Sequence, residues 1–230
     1  MFSVLSAVLE PFLLIALGYA LRGTKRFGAK ELWDGVEKLV FWVLFPPLLF
    51  NSVAHAKLTG LDTAEFLLFG TLAMATGVFM AKAVSKMAPA NPMTDASVRQ
   101  TGYRFNSYIC FALALNMYGQ EALALVALLT GIWVPISNAI AVADLSYAAK
   151  TGGKTSVGSI VKSIFTNPLI VSTLAGLFAN ILSHLTGFQV PNFITKIFSS
   201  LGSASMATAL LAIGAGLAVE DFARYKNIRS

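Results

Sequence analysis

The sequence predicts an all-α membrane protein of seven transmembrane helices, its N-terminus outside and its C-terminus cytoplasmic. Three observations predict it. Hydrophobic residues make up 56% of the chain and charged residues only 12%, about half the charged share of an ordinary soluble domain. Apolar runs near the ~20 residues needed to cross a bilayer recur along the chain. Lys and Arg are split fifteen to two across the alternating connections of a seven-span arrangement, a bias that marks the cytoplasmic side.

The first span is Val4–Leu21. No Lys or Arg precedes it, and Arg22, Lys25 and Arg26 follow it, the reverse of a secretory signal. The second, Leu39–Val53, contains Pro46 and Pro47. These remove two backbone donors in mid-helix and predict a kink, either lining a cavity or packed on neighbours, with Asn51 one turn on. The third is Phe66–Val84.

The fourth span, about Thr101–Tyr118, has a continuous apolar run of only eight residues, Tyr108–Leu115. That is ~12 Å of helix against a hydrocarbon core of ~30 Å. A crossing must include Arg104, Asn106 and Ser107, or Asn116, and such groups must face other helices or a wet cavity. Interrupted segments of this kind point to a transporter's binding site. The plain structural alternative is a helix that starts late, with Arg104 snorkelling to the inner headgroups. The fifth span, Ala122–Tyr147, holds Pro135 and Asn138, which bond across helices or face a cavity. The sixth, about Ile164–Leu185, carries Asn167 and Pro168 near its start, a pattern that reads as N-cap followed by Pro at the first helical position. The seventh is about Ser199–Val219.

Two acids fall within spans. Glu10 lies ~13 Å of helix from the N-terminus and is a candidate for proton or cation coupling. Asp144 lies six residues before Lys150 and is placed at the inner interface. His55 and His184 fall at outer span ends. Cys110, the one cysteine, has no intrachain disulfide partner and reads as a small buried side chain. Two His and one Cys predict no metal cluster. The chain has no P-loop and no Gly-rich phosphate fingerprint, which argues against ATP-driven transport. No catalytic constellation is evident, so an enzyme is not expected, and neither is a cofactor. The net charge of +6 belongs to span borders rather than to a nucleic-acid interface.

Several segments resemble the auxin efflux carrier family. Phe41–Phe50 (FWVLFPPLLF) is similar to its second-helix signature, and Arg104–Ile109 (RFNSYI) with Tyr118–Leu123 to the fourth-helix motif of its bacterial members. Val134–Asn138 (VPISN), Asn167–Ile170 (NPLI), Leu210–Leu217 (LLAIGAGL) and Pro11–Leu21 follow the pattern in helices five, six, seven and one. The resemblance implies a secondary transporter of small organic anions, such as dicarboxylates or auxin-like acids, working by alternating access in the bacterial inner (plasma) membrane. It implies ten helices in two inverted five-helix repeats, with broken fourth and ninth helices crossing near the midplane beside the anion. Residues 1–149 would form the first repeat and 158–219 an incomplete second, within one transmembrane domain spanning 1–230.

Carried over by motif, Asn106 is the crossing-point asparagine, offering its amide to a substrate carboxylate. Arg104 would supply positive charge, and Asn51 a further contact. This sequence departs from the pattern by stopping after the seventh helix, as a truncated member would, without the ninth-helix half of the site. Ala207 stands where the family often has proline. The partners expected are the lipid bilayer, the anion, a coupling proton or cation, and a second copy in a homodimer. Two readings stand beside this one. A carrier fragment would need partner helices for activity. A seven-helix receptor shares the span count, but Ile197–Val219 contains no lysine for a retinal Schiff base.

Overall fold

The computed structural model describes residues 2–58, 60–87, 91–148 and 157–217. Within them the regular structure is helical: α1 (Phe2–Arg22), α2 (Lys30–Leu39), a π turn (Val40–Leu44), α3 (Phe45–Ala54), α4 (Gly60–Met87), α5 (Pro92–Gln100), α6 (Ser107–Ala148), α7 (Val157–Thr166), α8 (Pro168–Thr186) and α9 (Asn192–Gly216). Five stretches are long and apolar enough to cross a membrane: Lys30–Ala54, Asp62–Met87, Ser107–Leu145, Pro168–Thr186 and Asn192–Gly216. Large apolar side chains such as Leu68, Phe69, Phe79 and Met80 are exposed along α4, a surface suited to lipid rather than water. Residues 149–156 and 218–230, among them the expected end of the seventh span at Val219, lie outside the described residues.

Pro46 and Pro47 bend the helical path without breaking it. They cannot donate to the carbonyls of Trp42 and Val43, and the turn before them widens so that the Phe45 N–H reaches the Val40 carbonyl. One path therefore runs from Lys30 to Ala54, starting well before the expected Leu39. The added turns of α2 are amphipathic, with Trp33 buried and donating from Nε1 to the Phe27 carbonyl at 2.7 Å. The seventh expected span also starts early, at Asn192, where the Pro191 carbonyl accepts from the N–H groups of Ile194 and Thr195. The sixth is divided at Asn167 into α7 and α8.

α3 lies at the centre, against α6, α8 and α9. Phe45, Leu49 and Val53 are fully buried with Phe111 and Leu123 of α6. Phe45 stacks on Tyr108 at 4.8 Å between ring centroids. Close approach is licensed by glycine. A Cβ on Gly176 of α8 would meet the Phe50 carbonyl oxygen at 2.8 Å, and one on Gly202 of α9 would meet Leu48 at 3.1 Å. The end of α3 is held by buried Asn180, whose Nδ2 donates to the carbonyls of Val53, Ala54 and Ala56 at 3.1, 3.1 and 2.9 Å. α1 packs along α9 at a crossing too tight for any side chain: a Cβ on Gly18 would lie 2.0 Å from the Leu211 oxygen, and one on Gly214 1.8 Å from the Ile15 oxygen. Arg22 donates to the Ala215 carbonyl across the same contact.

α6 is two helices. Gly119 has φ 77° and ψ −162°, a region open essentially to glycine alone. Residues 107–111 before it and 127–134 after it line one cavity. In a straight helix Ser107 and Val134 would be ~40 Å apart, so the chain folds back at Gly119. The expected connection between fourth and fifth spans shrinks to that one residue.

A candidate anion cavity between two capped helix starts

The interrupted fourth segment runs beside the second part of α6 as α5, an irregular linker at 101–106, and then residues 107–118. Asn91 caps α5, its Oδ1 accepting the Thr94 N–H at 2.9 Å, with Pro92 at the first helical position. Cross-links then follow in antiparallel order. Arg99 pairs with Asp144 at 3.6 Å and with Asp95 at 3.7 Å. Asp95 accepts from the Ser85 hydroxyl of α4 at 2.5 Å. Arg104 donates to Gln100 at 3.1 Å and to Asn138 at 3.3 Å. The Trp133 indole donates to the Tyr103 carbonyl at 3.4 Å.

At the end of the linker, Asn106 caps the restarting helix. Its Oδ1 accepts from the N–H groups of Tyr108 and Ile109 at 3.0 and 3.3 Å. Because Oδ1 faces backbone donors, the amide orientation is fixed and Nδ2 remains as a free donor. Asn167 repeats the arrangement at α8, accepting from Leu169 and Ile170 at 2.9 and 3.4 Å, again followed by Pro168 at the first helical position.

Asn106 and Asn167 line the same cavity, of about 280 Å³. Among the described residues its lining has no charged side chain: it combines aromatic and aliphatic groups such as Phe41, Tyr108, Phe111 and Leu49 with Ser107, Thr130 and Thr173. The Thr173 hydroxyl is committed to the Leu169 carbonyl at 2.8 Å. Donors left on the lining residues include the two asparagine Nδ2 groups, the Ser107 hydroxyl and N–H, and the hydroxyls of Tyr108 and Thr130. Two helix N-termini add partial positive charge. Buried Pro135 leaves the Gly131 carbonyl, also in the lining, without its helical donor. Fixed donors and two positive helix ends therefore meet an otherwise apolar lining, chemistry compatible with a small anion that has an apolar body.

The other residues expected in the site stand elsewhere. Arg104 is exposed, held by Gln100 and Asn138 outside the cavity lining; it fastens the linker to α6. Asn51 is in a second cavity, of about 530 Å³, with Ser52, His55, Gln120 and Glu121. Glu10 is exposed on α1 and lines neither cavity. A third depression, bearing Asp34, Glu37 and Lys38, meets the first cavity at Phe41 and Tyr108. Thr130, Gly131 and Thr173 had no sequence signal beyond small size inside apolar runs, whereas Asn180 did have one, as an asparagine in the middle of a span. No protein-family model matches the chain, and no curated protein matches it either.

Proposed function

We propose that this chain is a secondary carrier of small organic anions, of the auxin efflux carrier type, in a bacterial inner membrane. The observation that carries the reading is the meeting of two asparagine-capped helix starts, Asn106 and Asn167, on one uncharged cavity inside an apolar helical bundle. Interrupted helices whose N-termini face a common cavity are how such carriers hold anionic groups without a buried countercharge.

A partition supports alternating access. Leu49 and Phe111 line the first cavity, and their neighbours Leu48 and Leu115 line the second. This buried apolar layer separates the two chambers, and a carrier of this design moves one helix group against another across it. The seven-span count follows if α1 crosses, if α5 with residues 107–118 forms the fourth crossing, and if residues 120–148 form the fifth. The cluster at Arg99 and Asp144 then faces the cytoplasm, and His55 and Glu121 the outside.

The test is counterflow in proteoliposomes with a panel of radiolabelled mono- and dicarboxylates. Saturable exchange of at least one anion, weakened at least about fivefold in Asn106→Asp, is the expected result. Folded protein that exchanges no anion of the panel refutes the reading.

A further inference from the structure

The second cavity has the opposite chemistry to the first. Asn51 donates from Nδ2 to the Thr195 carbonyl at 3.1 Å and to the Ser199 hydroxyl at 3.2 Å. A carbonyl oxygen only accepts, so the amide cannot be flipped, and Oδ1 is fixed as a buried acceptor without a donor. Leaving such an acceptor unmet is costly. His55 binds the Asn51 carbonyl through Nδ1 at 2.9 Å, which makes Nδ1 the protonated nitrogen and turns Nε2 into a further acceptor when the ring is neutral. Among the described residues of the lining, Glu121 is the one carboxylate, and none is Lys or Arg.

We propose that this cavity binds a small monovalent cation, an alkali ion or an organic ammonium group, held by Glu121 and Asn51 Oδ1. The cation satisfies the orphaned amide oxygen and the carboxylate together, and a volume of about 530 Å³ leaves room for its remaining water. Asn51 also ties α3 to α9, so occupancy of the site bears on how these two helices pack. The site is distinct from Glu10, which does not line it, and stands apart from anion binding in the first cavity.

The experiment is equilibrium binding of radiolabelled sodium and of radiolabelled methylammonium to the purified full chain, without any anion or gradient. Saturable binding of either is expected. Glu121→Gln, an exposed position of unchanged size, should weaken it about tenfold by removing the carboxylate charge, and Ser203→Asp, in the same lining, should tighten it. Asn106→Asp should leave it intact, which separates this site from the proposed anion site. Competition by potassium identifies an alkali-ion site and competition by methylammonium an ammonium site; both support the proposal. Folded protein with no saturable binding of either cation overturns it, as does an affinity that neither Glu121→Gln nor Ser203→Asp changes.

Discussion

Asn106→Asp separates the two roles of one side chain. An aspartate keeps the acceptor that caps Tyr108 and Ile109, and Asp and Asn are equivalent caps. It replaces the free Nδ2 donor with a negative charge. A sphere of 280 Å³ has a radius of about 4 Å, so an anion centred in the cavity lies about that far from the lining. Two unit charges at about 4 Å repel by about 4 kcal/mol at an effective dielectric of 20 and by about 1 kcal/mol in bulk water. Asn106 lines the cavity and is solvent-exposed, which places the cost between these limits, a roughly five- to thousandfold loss of anion affinity. The thermal midpoint should hold. Asn106→Ala, by contrast, loses cap and donor together and should cost about 1 kcal/mol of stability. The assays are calorimetric anion titration and scanning fluorimetry on the purified protein, run in parallel with Arg104→Gln, which should bind anion as the parent does. Undiminished anion affinity in Asn106→Asp refutes the reasoning, and so does loss of affinity in Arg104→Gln alone.

Three further outcomes are expected. Asn180→Leu leaves the carbonyls of Val53, Ala54 and Ala56 without their donor; interhelical bonds of this kind are worth about 0.6–2 kcal/mol in membranes, so the unfolding midpoint in a denaturing detergent titration should fall measurably. Gly214→Ala must push back the Ile15 carbonyl at about 1–3 kcal/mol, whereas Gly35→Ala, with nothing within 4 Å, should gain up to about 1 kcal/mol in helix propensity; equal thermal shifts would show that the α1–α9 contact is looser than described. Glu37→Gln removes one of the two acids in the depression that shares Phe41 and Tyr108 with the first cavity and, if anions enter from that side, should speed their uptake at low salt, with the gain vanishing above about 0.1 M ionic strength, where the Debye length falls to ~10 Å.

The large features were legible because lipid makes them so. An apolar run with few charges is a spanning helix whatever it packs against, and a polar break within one has to be accounted for. The interrupted fourth segment was therefore visible from the eight apolar residues at Tyr108–Leu115. The details that escaped are those set by tertiary partners. The double proline reads as a kink, but nothing in the sequence says that a π turn at Val40–Leu44 accommodates it, or that α3 beyond it packs against three helices. The reversal between fourth and fifth segments reads as a short loop, yet a single glycine in a conformation other residues avoid performs it. Arg104 reads as a charge aimed at a cavity; its partners, Gln100 and Asn138, come from a helical turn before it and from a helix the sequence does not pair with it.

The asparagine–proline pair at 167–168 shows why the structural and functional readings of a motif need not compete. Sequence logic offers the pair as an ordinary helix start, and the geometry agrees, with Asn167 capping and Pro168 leading. That same geometry fixes the amide, because an oxygen spent on backbone N–H groups leaves the nitrogen as donor. Asn106 obeys the same rule at a helix start reached by a separate path through α5. Either cap alone is a commonplace of helical proteins. Two of them on one uncharged cavity give a pair of fixed donors backed by two positive helix ends, an arrangement that binding an anion uses and that capping alone does not require. If the two residues act as one site, Asn167→Asp should reproduce the binding defect of Asn106→Asp while keeping its own cap, and the double substitution should add little once the anion is already excluded. If Asn167 is a cap and nothing more, its aspartate variant should bind anion normally.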